Sequence, residues 1–362
     1  MASTSTTAAL ESESGIELGY WLSSEEHPAR RLVDNAVACE GAGFRTAMIS
    51  DHFAPWLARQ GHSPFVWSTL GGIACRTSVL RVGTGVTAAL HRVHPVTIAQ
   101  AAATIETMMP GRFFLGLGAG ERINEHVTDQ RWPTPPERRD ALCEALDIIR
   151  ALWAGESVSR RGHSFTVDRA ELSSRPDTAP PVVIAANTKE TASIAGEHAD
   201  GMIGLTPDPE LVDAFEATGG KGKPRLAQLH VCWATSDEEA RSVAHRWWPI
   251  AGLPPRLLTE LTRPQDFAAA AQLVSEDAVA GRITCGPDPN AHARAIHRLV
   301  AAGFTTIYLH QVGPDQVGFL DFCERDLLPR FRSSSLRVAD RPAAELGVGR
   351  QGGSDQRNIH NP

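Results

Sequence analysis

The sequence predicts a (β/α)8 barrel, in which eight parallel strands alternate with helices around a closed sheet. Its 362 residues, 42% of them apolar, are enough for one large α/β domain. Short runs of strand-forming residues alternate along the chain with segments of helical spacing, which favours a parallel sheet. The chain contains eight such strand-then-helix units, and that number favours a closed barrel over an open sheet.

The predicted strands are short apolar runs, and several end in glycine or a polar side chain. Helices are predicted from apolar stripes, as in 136–153, where Leu142, Leu146, Ile149 and Trp153 fall on one face. In chain order the strands are predicted at 16–21, 45–50, 80–86, 112–118, 181–186, 200–205, 226–233 and 305–310.

A single catalytic domain is predicted over residues 15–333. Two stretches are not accounted for by the strand-then-helix units: 155–180, with the hairpin-like SVSRRGHSFTV, and 235–300, with extra helices. We interpret both as insertions in one barrel. Residues 1–14 and 334–362 are rich in small and polar types, which predicts two poorly ordered ends.

Composition and charge exclude several classes of function. The net charge of −7, with both signs mixed along the chain, gives no basic stripe for nucleic acid. No run of eighteen apolar residues predicts a membrane span, and the first residues lack the pattern of a signal peptide. Six scattered cysteines without Cys-x-x-Cys spacing predict reduced thiols and a cytoplasmic protein. His91 and His94 lack further ligands, so no metal site is predicted.

Polar side chains follow the second and fourth predicted strands. Asp51 and His52 come after the second, and Glu121 and Asn124 come after the fourth. In a (β/α)8 barrel the active site lies at the carboxyl ends of the strands, so both pairs are expected to open onto one pocket. The glycines of FFLGLGAGE would let the backbone approach a flat ligand closely.

Other interpretations of these residues remain open. The glycine run is not a dinucleotide-binding fingerprint, because the third glycine position falls on Glu121. The glycines could form only a turn, His52 could be a hydrogen-bonded surface group, and Asp51 could cap a turn. Trp56 could belong to the core. His230 on the seventh strand could reach the pocket.

Five motifs in order and spacing carry a resemblance to a known family. Residues 16–330 resemble the luciferase-like hydride transferases that use the deazaflavin coenzyme F420, in particular the group of F420-dependent glucose-6-phosphate dehydrogenases. The motifs are ELGYWLSSEE, ISDHFAPWLARQGHSPF, VGTGVTAALHRVHPVTIAQAAAT, FFLGLGAGERINEH and GPDPNAHARAIHRLVAAGF.

The resemblance implies roles for residues of this chain. Glu121 matches the family's proton donor, His52 its candidate base and Trp56 the aromatic wall beside the substrate. Hydride transfer needs such a pair, because a proton must leave the substrate hydroxyl and another must reach the reduced ring. A carboxyl can donate that proton only if burial raises its pKa. The positions implied to contact or shape the coenzyme are Glu25, Asp51, Gly85, Val86, Gly120 and Asn124, with a cis peptide at Gly85–Val86.

The chain departs from the family at the substrate phosphate. Of the three cations that bind this phosphate in the sugar-phosphate enzymes, only the arginine persists, as Arg282. One lysine position falls on Asp208, and the other lies in the alanine run at 268–271. An aspartate would repel a phosphate, so glucose 6-phosphate is not the expected substrate.

The chain also departs at the coenzyme phosphate, where AANTKETAS replaces a glycine-containing loop. Thr188 can cap the helix that follows, and the helix N-terminus and Lys189 would attract an anion. Asn187, Thr188 and Lys189 are therefore the expected phosphate residues.

Together these features predict an F420-dependent dehydrogenase or reductase that moves a hydride between a small hydroxyl, hemiacetal or carbonyl compound and the coenzyme. The alternative is an FMN-dependent luciferase-like monooxygenase. A barrel that only binds a ligand is disfavoured, because His52, Trp56, Glu121 and Asn124 occur together. The resemblance also implies a homodimer.

Overall fold

Eight strands close into a barrel in the computed structural model, which describes residues 15–332. Each strand pairs in parallel with the next, and the last pairs with the first. The strands are β1 (Glu17–Leu22), β2 (Thr46–Ile49), β3 (Arg81–Thr84), β4 (Phe113–Gly118), β5 (Val182–Ala185), β6 (Gly201–Gly204), β7 (Arg225–Cys232) and β8 (Thr306–Gln311). The predicted barrel and its eight strands are confirmed.

The third strand ends earlier than its apolar run predicted. β3 stops at Thr84, and the amide of Gly85 donates to the carbonyl of Ile49 at 2.7 Å. After a cis peptide at Gly85–Val86, Thr87–Ala88 pairs with the end of β4. The chain therefore leaves β2 at Gly85 and continues along β4.

The helices surround the barrel and fill the connections. Proline occupies the first turn of several, where its missing N–H costs no hydrogen bond. They are α1 (Ala29–Gly41), α2 (Val66–Arg76), α3 (Pro95–Met108), α4 (Arg122–Glu125), α5 (Pro135–Ala154), α6 (Lys189–His198), α7 (Pro209–Phe215), α8 (Asp237–Trp247), α9 (Pro255–Glu260), α10 (Pro264–Ala271), α11 (Glu276–Ala280), α12 (Pro289–Ala301), α13 (Gln316–Phe322) and α14 (Leu328–Arg332). Helix α5 matches the segment predicted at 136–153, and its predicted stripe is buried. No helix within residues 15–332 is long and apolar enough to cross a bilayer.

The lower interior of the barrel is filled by large side chains. Phe114 and Tyr308 lie there fully buried. They fit because the neighbouring strands carry glycine: a Cβ on Gly83 would lie 2.1 Å from the Phe114 ring, and a Cβ on Gly19 would lie 2.4 Å from the Tyr308 ring. This packing closes the lower barrel and leaves the carboxyl ends of the strands for the site.

The two predicted insertions differ in structure. The first forms an antiparallel hairpin of Val158–Arg161 with Thr166–Ala170. The second contains α9, α10 and α11, and its Phe267 packs with Trp56 in a separate apolar cluster. That cluster covers one side of the carboxyl ends. The predicted disordered ends, 1–14 and 334–362, lie outside the described residues.

Candidate active site

His52 lies at the carboxyl end of the barrel, between two carboxyl groups from different loops. Its Nε2 atom is 3.5 Å from Oε1 of Glu25, which follows β1, and 3.4 Å from Oε2 of Glu121, which follows β4. Its Nδ1 atom is 3.3 Å from the carbonyl oxygen of Ala54. The structure therefore brings together the predicted base and the predicted proton donor, with Glu25 as a third member.

The Glu25 carboxylate lies beneath His52 and is held by hydroxyl groups. Ser23 and Ser24 donate to its Oε2 at 3.2 and 3.4 Å, and Ser50 donates to the same atom. Burial opposes its charge, but His52, the hydrogen bonds from Ser50 and from its own backbone amide, and His310 together outweigh burial, so the pKa of Glu25 lies below its usual value. Glu25 is thus suited to remain ionised and to stabilise a positive charge on His52.

Glu121 has the opposite electrostatic environment. Burial raises its pKa; the His52 ring opposes the rise, whereas the neighbouring carboxyls of Glu25 and Glu125 add to it. The side chain is still 34% exposed, so it can meet a ligand at the barrel mouth. A carboxyl with a raised pKa that remains accessible can keep a proton and donate it.

Asn124 connects the loops that carry the base and the acid. Its Nδ2 donates to Oε2 of Glu121 at 3.2 Å, and its Oδ1 accepts from the amide of Phe53 at 2.9 Å. Asn124 itself is buried, at 5% exposure. Asn124 therefore fixes the position of Glu121 relative to the His52 loop.

Trp56 stands beside His52, with ring centroids 4.9 Å apart. Its other edge meets Phe267 of the second insertion in a T-shaped contact at 5.1 Å. Only 6% of the residue is exposed. The ring therefore packs in the apolar cluster of the insertion and also lies beside His52, and its role as a wall beside the substrate stays a prediction.

Small residues line the mouth of the barrel beside Glu121. Gly85, Val86, Gly120 and Ala185 are all partly exposed there. A Cβ on Gly85 would lie 2.4 Å from the Trp21 ring, and Gly120 has a φ of +81°, so glycine is required at both positions. A floor of this kind, with a carboxyl at its edge, fits a flat ring system.

Asp51 lies under this floor and does not reach its surface. Thr87 Oγ1 and Arg92 Nη2 each donate to its carboxylate at 2.8 Å, and 1% of its side chain is exposed. It therefore acts by holding the segment that follows Gly85–Val86. Glu125 anchors the next turn by accepting the amides of His91 and Arg92 at 2.9 and 2.8 Å.

The expected phosphate residues lie at the start of α6. Thr188 caps this helix by accepting the amide of Thr191 at 3.3 Å, as predicted. Lys189 is exposed, and its Nζ is 2.7 Å from the carboxylate of Glu210. Asn187 is exposed as well. The structure gives no contact between this loop and the His52 group.

Arg282 lines a different cavity, of about 520 Å³, formed by α8, α11 and α12 with the short strand Thr284–Cys285. The cavity also contains Arg241, Arg294 and Arg298, and it shares no residue with the His52 group. Asp208, at the former lysine position, caps α7 by accepting the amide of Glu210 at 3.0 Å. The structure thus does not bring Arg282 to the residues that surround His52.

The sequence did not point to several residues that support the site. Ser50, Arg92 and Glu125 act only by holding a predicted residue or its loop, and nothing in the spacing distinguishes them. Glu26 and His310 form a buried pair close to Glu25. In the sequence, this pair is indicated only by an ionisable residue within an apolar strand, His310, and by another that follows one, Glu26.

The comparisons place the chain among proteins of one barrel family. Residues 14–306 match the family model described as luciferase-like monooxygenase. The chain is 36% identical over 323 residues to the F420-dependent hydroxymycolic acid dehydrogenase of Mycobacterium tuberculosis, covering 87% of this chain and 88% of the relative. It is 33% identical over 332 residues to the F420-dependent glucose-6-phosphate dehydrogenase of Nocardia farcinica, covering 88% of this chain and 98% of the relative.

The fold is similar to that of a solved F420-dependent secondary alcohol dehydrogenase in complex with an F420-acetone adduct. The TM-score is 0.81 at 25% sequence identity, covering 88% of this chain and all of the other. A Type II Baeyer-Villiger monooxygenase from Pseudomonas putida in complex with FMN shares the fold at a TM-score of 0.64 and 18% identity. The chain therefore belongs to the luciferase-like family of (β/α)8-barrel proteins.

Proposed function

We propose that this protein is an F420-dependent dehydrogenase that acts on the CH–OH group of a small, neutral or weakly charged substrate. The observation that carries the proposal is the position of His52 Nε2, within 3.5 Å of a carboxyl on either side. The two relatives from Mycobacterium tuberculosis and Nocardia farcinica, and the solved secondary alcohol dehydrogenase, are F420-dependent dehydrogenases of hydroxyl compounds. When bound, the deazaflavin takes a hydride from carbon.

His52 acts as the base in this proposal. It takes the proton of the substrate hydroxyl as the carbon loses hydride, and the ionised Glu25 stabilises the resulting imidazolium. The three serine hydroxyls around Glu25 fix that carboxylate before the reaction. The geometry therefore prepares a negative charge at the point where positive charge develops.

Glu121 acts as the acid and holds its proton towards the floor of small residues. Asn124 keeps the carboxyl in place, and burial raises its pKa, which favours the protonated form. After turnover, His52 carries the substrate proton and Glu121 has lost its own. Because these side chains lie 3.4 Å apart, the proton can return from one to the other, and the site is restored.

The substrate is proposed to be a neutral alcohol or a hemiacetal. Asp208 is an acid at a position where the sugar-phosphate enzymes carry a lysine, and its carboxylate is used to cap α7. Arg282 faces a cavity outside the His52 group. A doubly charged phosphate would therefore lack the cluster of cations that it requires.

A substrate screen with oxidised F420 tests the proposal. Loss of the visible absorbance of the coenzyme is followed over secondary alcohols, sugars and sugar phosphates. We expect reduction with neutral hydroxyl compounds and none with glucose 6-phosphate. Efficient reduction by glucose 6-phosphate would contradict the substrate class, and no reduction by any hydroxyl compound would contradict the function.

Coenzyme binding separates this proposal from the FMN alternative. The purified protein is titrated with F420 and, in parallel, with FMN, and the fluorescence of each is measured. We expect saturable quenching with F420 only. Saturable binding of FMN without binding of F420 would favour the monooxygenase.

A further inference from the structure

We propose that Glu26 and His310 form a positioning pair that shares one proton beneath Glu25 and His52 and thereby sets the charge that His52 meets when it takes the substrate proton. The inference rests on the proposed role of His52 as the base. It assigns a task to two buried ionisable residues that hydride transfer itself does not use.

The pair is enclosed within the barrel. Oε2 of Glu26 lies 3.0 Å from Nε2 of His310, and each side chain is 1% exposed. The other oxygen of Glu26 accepts a hydrogen bond from the backbone amide of Gly313 at 2.9 Å. Nδ1 of His310 lies 3.2 Å from the side-chain nitrogen Nε2 of Gln228. Every polar atom of the pair is therefore engaged by protein, and water does not screen its charge.

A single hydroxyl connects the pair to the active site. Ser23 donates to Oε2 of Glu25 at 3.2 Å, and its side chain also hydrogen-bonds Glu26. Because the hydroxyl has one proton, it donates to one of the two carboxylates at a time. The His310 ring contacts Trp248 at 4.6 Å and His230 at 4.8 Å. A change of charge on Glu26 thus acts on Glu25 through one intervening group.

Glu26 and His310 lose their protons in different ranges of pH. Burial raises the pKa of Glu26 to about 7, and burial lowers the pKa of His310 to about 4. Between these values the pair holds one proton and carries no net charge, and above about 7 it becomes an anion. The titratable groups that act on this pair, or on which one of its members acts, are Tyr20, Glu25, His27, Cys232 and His230.

Ionisation of Glu26 places a second negative charge below His52. That charge stabilises the positive charge which His52 gains with the substrate proton, so hydride transfer becomes faster as Glu26 ionises. A neutral side chain of the same shape cannot give this response. The chain offers Glu106 as a matched control, because it is also a buried carboxyl with a raised pKa, but it lies at the opposite end of the barrel, where it accepts the amide of Gly111.

The experiment compares kcat/KM from pH 5.5 to 8.5 for the parent, Glu26→Gln, His310→Phe and Glu106→Gln. His52 must be unprotonated and Glu121 protonated for the reaction in all four proteins, so the effect of Glu26 is read from ratios of kcat/KM at each pH. The ratio of kcat/KM to that of Glu26→Gln should rise about tenfold, centred near pH 7, for the parent and for Glu106→Gln. His310→Phe should move this rise to higher pH, because the Glu26 anion loses its hydrogen-bond donor. A profile unchanged in both pair variants would overturn the proposal.

Infrared difference spectra of the coenzyme-free protein test the pair without any turnover. We expect a protonated carboxyl band that disappears between pH 6 and pH 8 in the parent and is missing from Glu26→Gln. If this band is found but F420 is not reduced by any alcohol, the pair stands and the proposed function fails. If F420 is reduced but the band does not titrate, the pair is wrong and the function stands.

Discussion

At His52, two carboxyl groups with opposite pKa shifts meet one imidazole. Burial raises the pKa of Glu121, whereas at Glu25 the effect of burial is outweighed by His52, by hydrogen bonds to Ser50 and to its own backbone, and by His310, so that its pKa is lowered. The two residues have the same side chain, so the difference arises from their hydrogen bonds and charges. Opposite shifts of this kind assign one carboxyl as a charge stabiliser and the other as an acid.

Replacing Glu121 by Gln removes the acid and keeps the shape of the side chain. We expect turnover to fall by about a hundredfold or more, which is the usual contribution of a general acid. Because Gln retains a hydrogen bond to Asn124, the dissociation constant for F420 should change little. Stopped-flow absorbance gives the rate and fluorescence titration gives the affinity; a variant as active as the parent would exclude Glu121 from proton transfer.

Much of the site was predictable at the scale of single residues, because it follows strand ends. His52, Glu121 and Asn124 each stand just after a predicted strand, and the barrel brings such positions together. Sequence alone could not place Glu25 against His52, since that contact joins two loops through Ser50. Arg92 and His310 depend in the same way on residues far away in the chain.

At the scale of elements, the eight strands were predictable because each is a short apolar run bounded by polar or small residues. The end of β3 was not, because the apolar run continues to Val86 while the backbone leaves β2 at Gly85 and keeps only its pairing with β4. Strand pairing is set by contacts between distant parts of the chain, so the local sequence pattern does not show where it ends. The same limit applies to the second insertion, whose helices are fixed by packing around Phe267.

Glycine within β4 has a structural role that mutation can test. A Cβ on Gly116 would lie 1.9 Å from the carbonyl oxygen of Thr84, and this backbone atom cannot move without breaking the sheet. We expect Gly116→Ala to lower the free energy of unfolding by about 3 kcal/mol. Urea denaturation measures the change.

The matched control is Gly41→Ala at the end of α1, where a new Cβ meets nothing within 4 Å. This change should leave the stability unaltered or raise it by up to about 1 kcal/mol. If Gly116→Ala were as harmless as Gly41→Ala, the close approach of β3 and β4 would be wrong.

For the whole molecule, buried histidines make stability depend on pH. Burial lowers the pKa of His230 to about 3, whereas in the unfolded chain the side chain titrates near 6.5. Below pH 6.5 the unfolded state therefore binds a proton that the folded state does not, and stability falls as the pH falls towards 3. Glu26 has the opposite effect on the pH dependence of stability. Its stabilising contribution is complete below pH 4.5 and is lost as the pH rises through about 7.

His230→Gln should remove part of the acid dependence. Between pH 6.5 and 4.5 we expect the variant to lose about 2 kcal/mol less of its free energy of unfolding than the parent. Urea denaturation at the two pH values provides the comparison. Parallel losses in both proteins would mean that His230 is not kept neutral by the fold.

The most direct test of the account is a single-turnover reaction of a neutral secondary alcohol with oxidised F420 on the parent and on His52→Ala. We expect rapid loss of the visible absorbance of the coenzyme with the parent, and a rate lower by about a hundredfold or more with the variant. Both proteins should bind F420 with similar affinity and unfold at similar temperatures. Equal rates in the two proteins would contradict the claim that His52, set between Glu25 and Glu121, takes the substrate proton.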